Sequence, residues 1–393
     1  MLKSFFCSRQ WAWWAWGGLF LLCATVGLEV AVQVWINSWY RETWDFLQNP
    51  HPLLSEAIMS NTNDWNMKLA ELDSENYADS NDTLAILAGN TLERFWGYLG
   101  EFCIVVFPYI VIRAFSGFFA QHYAFRWRQA ITFAYLPLWS KAEKEIEGAS
   151  QRLQQDPERF ARLVESLGLG LFRSVLTLGA FVPILWGVSK EISDKYNAAL
   201  GLNNAPFELP FFAWTANTVG SLMWVAIGLA IGGTIISYFV GIRLPGLEYN
   251  NQKVEARFRK QLVYSEDDKS YVRNETMVEL FTGLRFNYFR LYLHYSYFSL
   301  WAVTFSQVIV IADLALVGSG VALGVISLGF INQISHAFSK VTDSLAYFVD
   351  HWTTVTELMS VVKRLREFEH NIGYSKAGKA GLDNALPPAE QVK

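Results

Sequence analysis

The stretch 243–268 reads RLPGLEYNNQKVEARFRKQLVYSEDD and follows the longest uncharged run of the chain, 209–242. It carries three glutamates, Glu248, Glu255 and Glu266. Because an α-helix turns by about 100° per residue, spacings of seven and eleven residues would place these carboxylates in one column. Such a column beside a membrane span can belong to a proton path or to an ordinary solvated helix face. The spacing alone leaves both interpretations open.

The composition indicates an integral membrane protein. Of 393 residues, 52% are hydrophobic, 16% are aromatic and only 17% are charged, whereas soluble domains are about a quarter charged. The net charge of −4 gives no support for nucleic-acid binding. The three cysteines suggest neither a disulfide framework nor a zinc site. We therefore expect an all-α protein whose partners include the lipid bilayer and exclude nucleic acid.

Six segments are apolar and long enough to cross about 30 Å of hydrocarbon, which takes about 20 helical residues. The predicted spans are 10–36, 94–122, 163–189, 209–242, 288–312 and 320–342. Residues 37–93 form an insertion between the first two spans, with ten acidic and two basic residues. Residues 1–370 are thus predicted to form one transmembrane transporter domain, and 371–393 a disordered cytoplasmic tail.

Lysine and arginine predict the orientation of the spans. Seven basic residues lie in 121–162 and eight in 241–287. Because basic residues favour the cytoplasmic side, both termini are predicted to be cytoplasmic and the insertion 37–93 periplasmic. Long helical cytoplasmic connections after the second and fourth spans are typical of the six-helix (type IV) transmembrane arrangement of ABC exporters.

Two local patterns refine this prediction. No GxxxxGK[ST] motif occurs in the sequence, so we expect no nucleotide-binding domain, no ATP site and no cofactor in these residues. Asp156 and Pro157 predict a helix start, because an aspartate cap followed by proline suits the first turn. Glu158 is expected to stabilise that helix end. Glu158 and Glu165 would share one face of the helix, so a second acidic column could line the same cavity as the first.

Several long motifs resemble the SbmA/BacA family of bacterial inner-membrane peptide transporters, in register from about Trp11 to His370. They are HYAFRWRQA (122–130), IEGASQRLQQDPERFA (146–161), GIRLPGLEYNNQKVEARFRKQLVYSEDD (241–268), NYFRLYLHYSYF (287–298) and HWTTVTELMSVVKRLREFEH (351–370). The bacterial SbmA proteins carry a further N-terminal membrane segment that we do not expect here, and their loop equivalent to 37–93 is shorter. The QR-x-x-x-D pattern also resembles peroxisomal fatty-acyl ABC half-transporters.

The resemblance implies a homodimer with an ABC-exporter-like fold and no nucleotide-binding domain. Such a protein is a secondary active transporter, not an enzyme. It imports antimicrobial-peptide-like molecules and peptide antibiotics across the bacterial inner membrane by alternating access, driven by protons. One alternative is the membrane subunit of an ATP-driven ABC transporter with a separate ATPase partner. Another is a non-transporting receptor that displays the acidic insertion to cationic peptides.

The resemblance also implies three proton-coupling residues, Glu165, Glu255 and Glu266. A carboxyl group has a raised pKa when it is desolvated or crowded by another carboxylate, which lets it load and release a proton during transport. Gln155 stands where the family has a further acid. Glu248 directly follows LPG and is expected to cap the turn.

Four further residues are candidates for transport roles. Glu29 and Glu101 are acids within predicted spans, which are functional candidates by default. Each can instead pair with Arg113 or lie at the membrane interface. Arg152 and Tyr264 lie in the matched motifs and can orient the proton-coupling carboxylates. A structural tie between helices explains these two residues equally well.

Overall fold

The apolar segments form helices much longer than the predicted spans. The computed structural model describes residues 1–48, 80–142, 149–203, 214–215, 218, 220–269, 273–322 and 324–374. Within these ranges the protein is all-helical, and nine helices follow one another along the chain. They are α1 (Leu2–Phe6), α2 (Ala12–Gln48), α3 (Ser80–Trp139), α4 (Ala149–Asn203), α5 (Ser221–Gly241), α6 (Leu244–Asp267), α7 (Asn274–Ala322), α8 (Leu328–Asp350) and α9 (Trp352–Asn371).

The predicted insertion and tail are only partly covered by these helices. Residues 37–48 continue α2, and residues 80–93 belong to the first part of α3. Both ends of the insertion are therefore extensions of the flanking spans. The middle of the insertion, 49–79, lies outside the described residues, as does the predicted tail from residue 375 onward.

Five helical segments of the described chain are long and apolar enough to cross a membrane. They are α2, most of α3, α4, α5 together with α6, and α7. The protein is therefore a multi-pass membrane protein. The predicted sixth span, 320–342, corresponds to α8, which begins eight residues later than predicted and is not among the five.

Helix α8 lies inside the bundle. It packs against α2, α4 and α5, and it buries one apolar face formed by Phe330, Ile334, Phe338 and Val341. No residue from 329 to 342 is exposed, so polar side chains in this part of α8 are shielded by the neighbouring helices. The location of α8 therefore allows it to carry several polar residues.

Two apolar clusters hold the bundle together. The terminal cluster joins α1, α2, α3, α4 and α9, and its aromatic rings include Phe5 stacked on Trp127 at a centroid distance of 5.4 Å. The bundle cluster joins α4, α5, α7 and α8 around Phe181, Leu222 and Phe330. The two clusters lie at different heights along the bundle. Because the segment of α4 between them contributes buried residues to neither cluster, it can carry polar side chains.

The predicted helix start at Asp156 is wrong, because α4 begins at Ala149 and contains Pro157 within it. Proline lacks the N–H that would bond to the carbonyl four residues earlier, here that of Leu153. The hydroxyl of Thr132 on α3 donates to this Leu153 carbonyl at 3.2 Å. The neighbouring helix therefore compensates for the missing bond, and α4 continues through the proline.

Asp156 instead joins α4 to α9. Its carboxylate is buried and accepts hydrogen bonds from Arg364 Nε at 3.1 Å and Nη2 at 2.9 Å. Arg152 completes the tie, because its Nη1 donates to the Arg364 backbone carbonyl at 2.9 Å. The motif QRLQQDPERF thus supplies a helix-to-helix anchor.

We expect Arg364→Met to destabilise the protein by about 3 kcal/mol, because it leaves the Asp156 carboxylate buried without its main cationic partner. The melting temperature of the detergent-solubilised protein measures this loss. Arg162→Met is the matched control, since it removes only an exposed pair with Glu158, and we expect a change below about 0.5 kcal/mol. Equal melting temperatures for the two variants would contradict the anchor.

Candidate functional site

Glu29 lies between two arginines inside the membrane-spanning helices. Its side chain on α2 is 7% exposed. Its Oε2 accepts a hydrogen bond from Arg113 Nη1 on α3 at 3.1 Å and forms an ion pair with Arg173 Nη2 on α4, 2.8 Å away. The pairing of Glu29 with Arg113 was one of the interpretations offered by the sequence, and the structure adds Arg173. One carboxylate therefore links three helices.

Two charged residues of α8 complete this group. Lys340 interacts electrostatically with Asp343, Arg113 and Arg173. We refer to Glu29, Arg113, Arg173, Lys340 and Asp343 as the central ion cluster. It holds three cationic and two anionic side chains contributed by four helices.

The central ion cluster lies between the two apolar clusters. On α4, Leu163 belongs to the terminal cluster and Phe181 to the bundle cluster, and Arg173 falls between them. At 1.5 Å per residue, Arg173 is about 15 Å along the helix from Leu163 and about 12 Å from Phe181. Charged groups inside membrane spans are rare and are functional candidates by default. The central ion cluster is therefore the first candidate site.

A polar stripe along α8 connects the cluster with both ends of the bundle. Its members are Gln333, His336, Lys340, Asp343 and Tyr347. They recur at alternating steps of three and four residues, which places them on one side of a helix. None of these residues was among the candidates predicted from the sequence, although their spacing is a readable signal.

The stripe is held by hydrogen bonds to the neighbouring helices. Asn37 on α2 lies 3.1 Å from His336 Nδ1, and its amide nitrogen donates to the Gln333 carbonyl at 2.8 Å. At the other end, the Tyr347 hydroxyl donates to the Leu167 carbonyl of α4 at 3.1 Å. A Cβ added at Gly170 would overlap the Tyr347 ring, so glycine permits this close approach of α8 to α4.

A second ion pair closes the outer part of the bundle. Arg41 on α2 donates to both carboxylate oxygens of Glu191 on α4, at 3.1 and 2.7 Å. Lys195 also contacts Glu191 at 3.2 Å. Both cations lie over the Phe330 ring, each 4.5 Å from its centroid. Glu191 is therefore shared by two cations, one on α2 and one on its own helix, and the contact with Arg41 ties α2 to α4.

The predicted proton-coupling residues lie in two separate places. Glu165 is half-buried on α4 and interacts electrostatically with Tyr123 of the terminal cluster. Glu255 and Glu266 lie on α6, which is helical from Leu244 to Asp267, so the expected column forms. Helix α6 packs against α7.

The two acidic columns lie on helices that do not pack extensively against each other. In the described part of the structure, α4 and α6 share no extensive interface. The single cavity lined by both columns, which the spacing suggested, stays a prediction.

The other candidates have mixed surroundings. Glu101 is exposed on α3 and lies 12 residues from Arg113, about 18 Å along the helix, so these two residues do not pair. Arg152 belongs to the α4–α9 anchor rather than to a carboxylate column. Tyr264 is exposed on α6, with Lys260 Nζ 5.5 Å from its ring centroid.

The site offers no grouping suited to a metal. Across the described residues, no three His, Cys, Asp or Glu side chains come together closely enough to hold a metal ion. The titratable side chains of the central ion cluster and the polar stripe include carboxylates, guanidiniums, Lys340 and His336, which suit ion pairing and proton transfer.

Comparison with known proteins identifies the family. Residues 54–373 match the profile of the SbmA/BacA-like family, which is most of the chain. The protein therefore belongs to the SbmA/BacA-like family, and the resemblance of its motifs is confirmed. The match includes α3 to α9 and so contains Arg113, Arg173, Lys340 and Asp343.

Curated relatives are ABC transporter proteins. The inner membrane ABC transporter ATP-binding protein YddA of Escherichia coli K12 is 22% identical over 325 residues, 78% of this chain and 53% of that protein. An ABC transporter ATP-binding protein of Synechocystis is 25% identical over 73% of this chain and 42% of its own length. The chloroplastic ABC transporter D family member 2 of Arabidopsis thaliana is 24% identical over 67% and 35%. The chain thus spans about half or less of these relatives, and together with the family match they show a membrane transporter.

We expect Glu29→Gln to lower the free energy of unfolding by about 2–3 kcal/mol, because two guanidiniums lose the anion that they share. The measurement is the melting temperature of the detergent-solubilised protein, which should fall. Glu101→Gln is the control, since it neutralises an exposed acid in a neighbouring span, and we expect no measurable change. A Glu29→Gln protein as stable as the wild type would show that the central ion cluster does not hold α2, α3 and α4 together.

Proposed function

We propose that this member of the SbmA/BacA-like family imports peptides across the bacterial inner membrane, driven by the proton gradient. The transported class is antimicrobial-peptide-like molecules and peptide antibiotics, as the family resemblance implies. Protons are the coupling ions, and no nucleotide acts in this chain. Glu165, Glu255 and Glu266 carry the protons.

The observation that carries the proposal is the position of Glu165. It is a half-buried carboxylic acid on a helix able to span the membrane, beside the terminal cluster and two turns before Arg173. A carboxyl group shielded in this way exchanges a proton when its exposure to water changes. Movement of α4 against its neighbours would cause such a change.

A homodimer accounts for the exposed arm formed by α6 and the first half of α7. Phe258 on α6 contacts Phe281 on α7 at 5.9 Å between centroids. The arm exposes Phe281, Phe286 and Phe289, which are 56%, 67% and 68% exposed among charged neighbours. Exposed apolar patches rimmed by polar residues mark interaction surfaces. A second copy, related by a two-fold axis, would cover this surface.

The same dimer would bring the two acidic columns to one cavity. Within a chain α6 packs against α7 and leaves α4, so Glu255 and Glu266 of one copy would face Glu165 of the other. Alternating access then requires six spans per copy in an ABC-exporter-like arrangement, with α8 as the sixth span and both termini in the cytoplasm. The positive charge of 121–162 and 241–287 supports this orientation.

One observation favours an alternative energy source. Two of the relatives named above are ATP-binding proteins by name, and the present sequence lacks a GxxxxGK[ST] motif. In this alternative, the chain is the membrane subunit of an ATP-driven transporter and acts with a separate ATPase. The two functions differ in whether uptake follows the pH gradient or ATP.

We expect proteoliposomes with an imposed pH gradient to accumulate a labelled cationic peptide, and a protonophore to abolish this uptake. Glu165→Gln, Glu255→Gln and Glu266→Gln should each reduce the initial rate at least about tenfold, since an amide does not titrate. The rate of labelled-peptide uptake with and without the gradient is the measurement.

The matched control is Glu158→Gln, seven residues before Glu165 on the same helix, which pairs with Arg162 outside the spans. This variant should transport normally. Uptake that ignores the gradient but requires ATP and a co-purifying ATPase would favour the alternative. Normal uptake in all three glutamine variants would remove these carboxylates from the mechanism while leaving the transport reaction itself intact.

A further inference from the structure

In the central ion cluster, two guanidiniums share one carboxylate. Arg113 and Arg173 both contact Glu29, and Lys340 adds a third cation near them. Two acids of α8 lie near Lys340: Asp343 interacts with Lys340, and Asp350 interacts with Asp343. A charge in a membrane-spanning segment is costly unless water or a counter-ion reaches it, and the two guanidiniums divide a single carboxylate between them.

The two arginines keep an open side. Their side chains are 54% and 44% exposed, although Glu29 between them is buried. Hydrocarbon does not solvate a guanidinium, so the open side must face water or a polar ligand. Each guanidinium has five N–H donors, and its contact with Glu29 uses one terminal nitrogen. Both arginines can therefore bind a second anion without releasing Glu29.

The groups on the exposed side of Arg113 and Arg173 indicate which kind of ligand binds there. Guanidinium groups bind carboxylates through paired, charge-assisted hydrogen bonds, and Lys340 adds a compact positive charge from α8. Glu29 contacts both arginines and Asp343 interacts with Lys340, so these acids hold the three cations in position.

From this geometry we propose that the central ion cluster binds a carboxylate group of the transported peptide. The proposal rests on the proposed function as a peptide importer and names a feature of its substrates. A linear peptide always offers such a group at its C-terminus, and acidic side chains offer others. Among cationic peptides the site thus selects those with an accessible carboxylate.

Binding there would also depend on the arrangement of the helices. The arginines belong to α3 and α4, whereas Lys340 belongs to α8, so one bound carboxylate would contact three helices at once. A shift of α8 relative to α4 would remove one of its three cationic contacts. The affinity for the peptide would therefore differ between the two conformations of a transport cycle, as alternating access requires.

The test uses one labelled cationic peptide in three forms: the free acid, the C-terminal amide, and the amide with one internal glutamine replaced by glutamate. Uptake is measured in proteoliposomes of the full-length protein with an imposed pH gradient, at peptide concentrations well below saturation. We expect the acid to enter at least about tenfold faster than the amide. Fast uptake of the third form would identify any carboxylate as the ligand, and slow uptake would identify the chain terminus.

Variants connect this preference with the cluster. In Lys340→Gln and Arg173→Gln the ratio of acid to amide uptake should fall towards one, whereas Lys340→Arg should keep it. Lys363→Gln, which removes an exposed lysine of α9, is the control and should keep it too. Because the ratio compares two substrates in the same protein, a change in folded fraction does not alter it.

A ratio near one in the wild-type protein would overturn the carboxylate site while leaving peptide import intact. The site would also be overturned if Lys340→Gln and Arg173→Gln kept the full preference for the acid. Absence of gradient-driven uptake for all three peptides would instead count against the proposed function. The two failures are therefore distinguishable.

Discussion

A charge inside a membrane must be paired or hydrated, and this constraint organises the protein around Glu29. Its buried carboxylate contacts Arg113 and Arg173, so α2, α3 and α4 are held together at one level. The apolar clusters lie to either side of that level along α4. Each apolar cluster excludes water from its own part of the bundle. The charged side chains of the facing helices lie in the interval between the two clusters.

The same constraint explains α8. A helix carrying His336, Lys340 and Asp343 would be unstable against lipid, but α2, α4 and α5 surround it. Its apolar side enters the bundle cluster, and its polar stripe meets Asn37, the central ion cluster and the Leu167 carbonyl. The bundle thereby accommodates a polar helix. The polar stripe of α8 forms a row of polar side chains along the bundle.

Much of the fold could be predicted from the sequence because its signals are local. The apolar runs predicted membrane helices, and the seven- and eleven-residue spacing correctly placed Glu248, Glu255 and Glu266 on one helix. The pair between Glu29 and Arg113 was foreseen as an alternative, since intramembrane charges require partners. Arg173 was not, because its sequence neighbours give no hint that α4 passes beside Glu29.

Other errors came from tertiary contacts. Asp156 and Pro157 have the composition of a helix start, yet Thr132 on α3 satisfies the carbonyl that the proline leaves free. Helix α6 packs against α7 and shares no extensive interface with α4, which the spacing of the glutamates could not indicate. Spacing fixes the face of a helix on which a residue lies, but only packing decides what that face meets.

The most direct test of this account asks whether the polar helix α8 crosses the membrane within the bundle. Cys7, Cys23 and Cys103 would be replaced by serine. A single cysteine would then be introduced by Leu328→Cys, at the first residue of α8, or by Thr353→Cys, three residues beyond its end. A membrane-impermeant maleimide would then be applied to right-side-out spheroplasts and to inverted vesicles. The account predicts labelling of residue 328 in spheroplasts only and of residue 353 in inverted vesicles only. Labelling of both positions from the same side would contradict it.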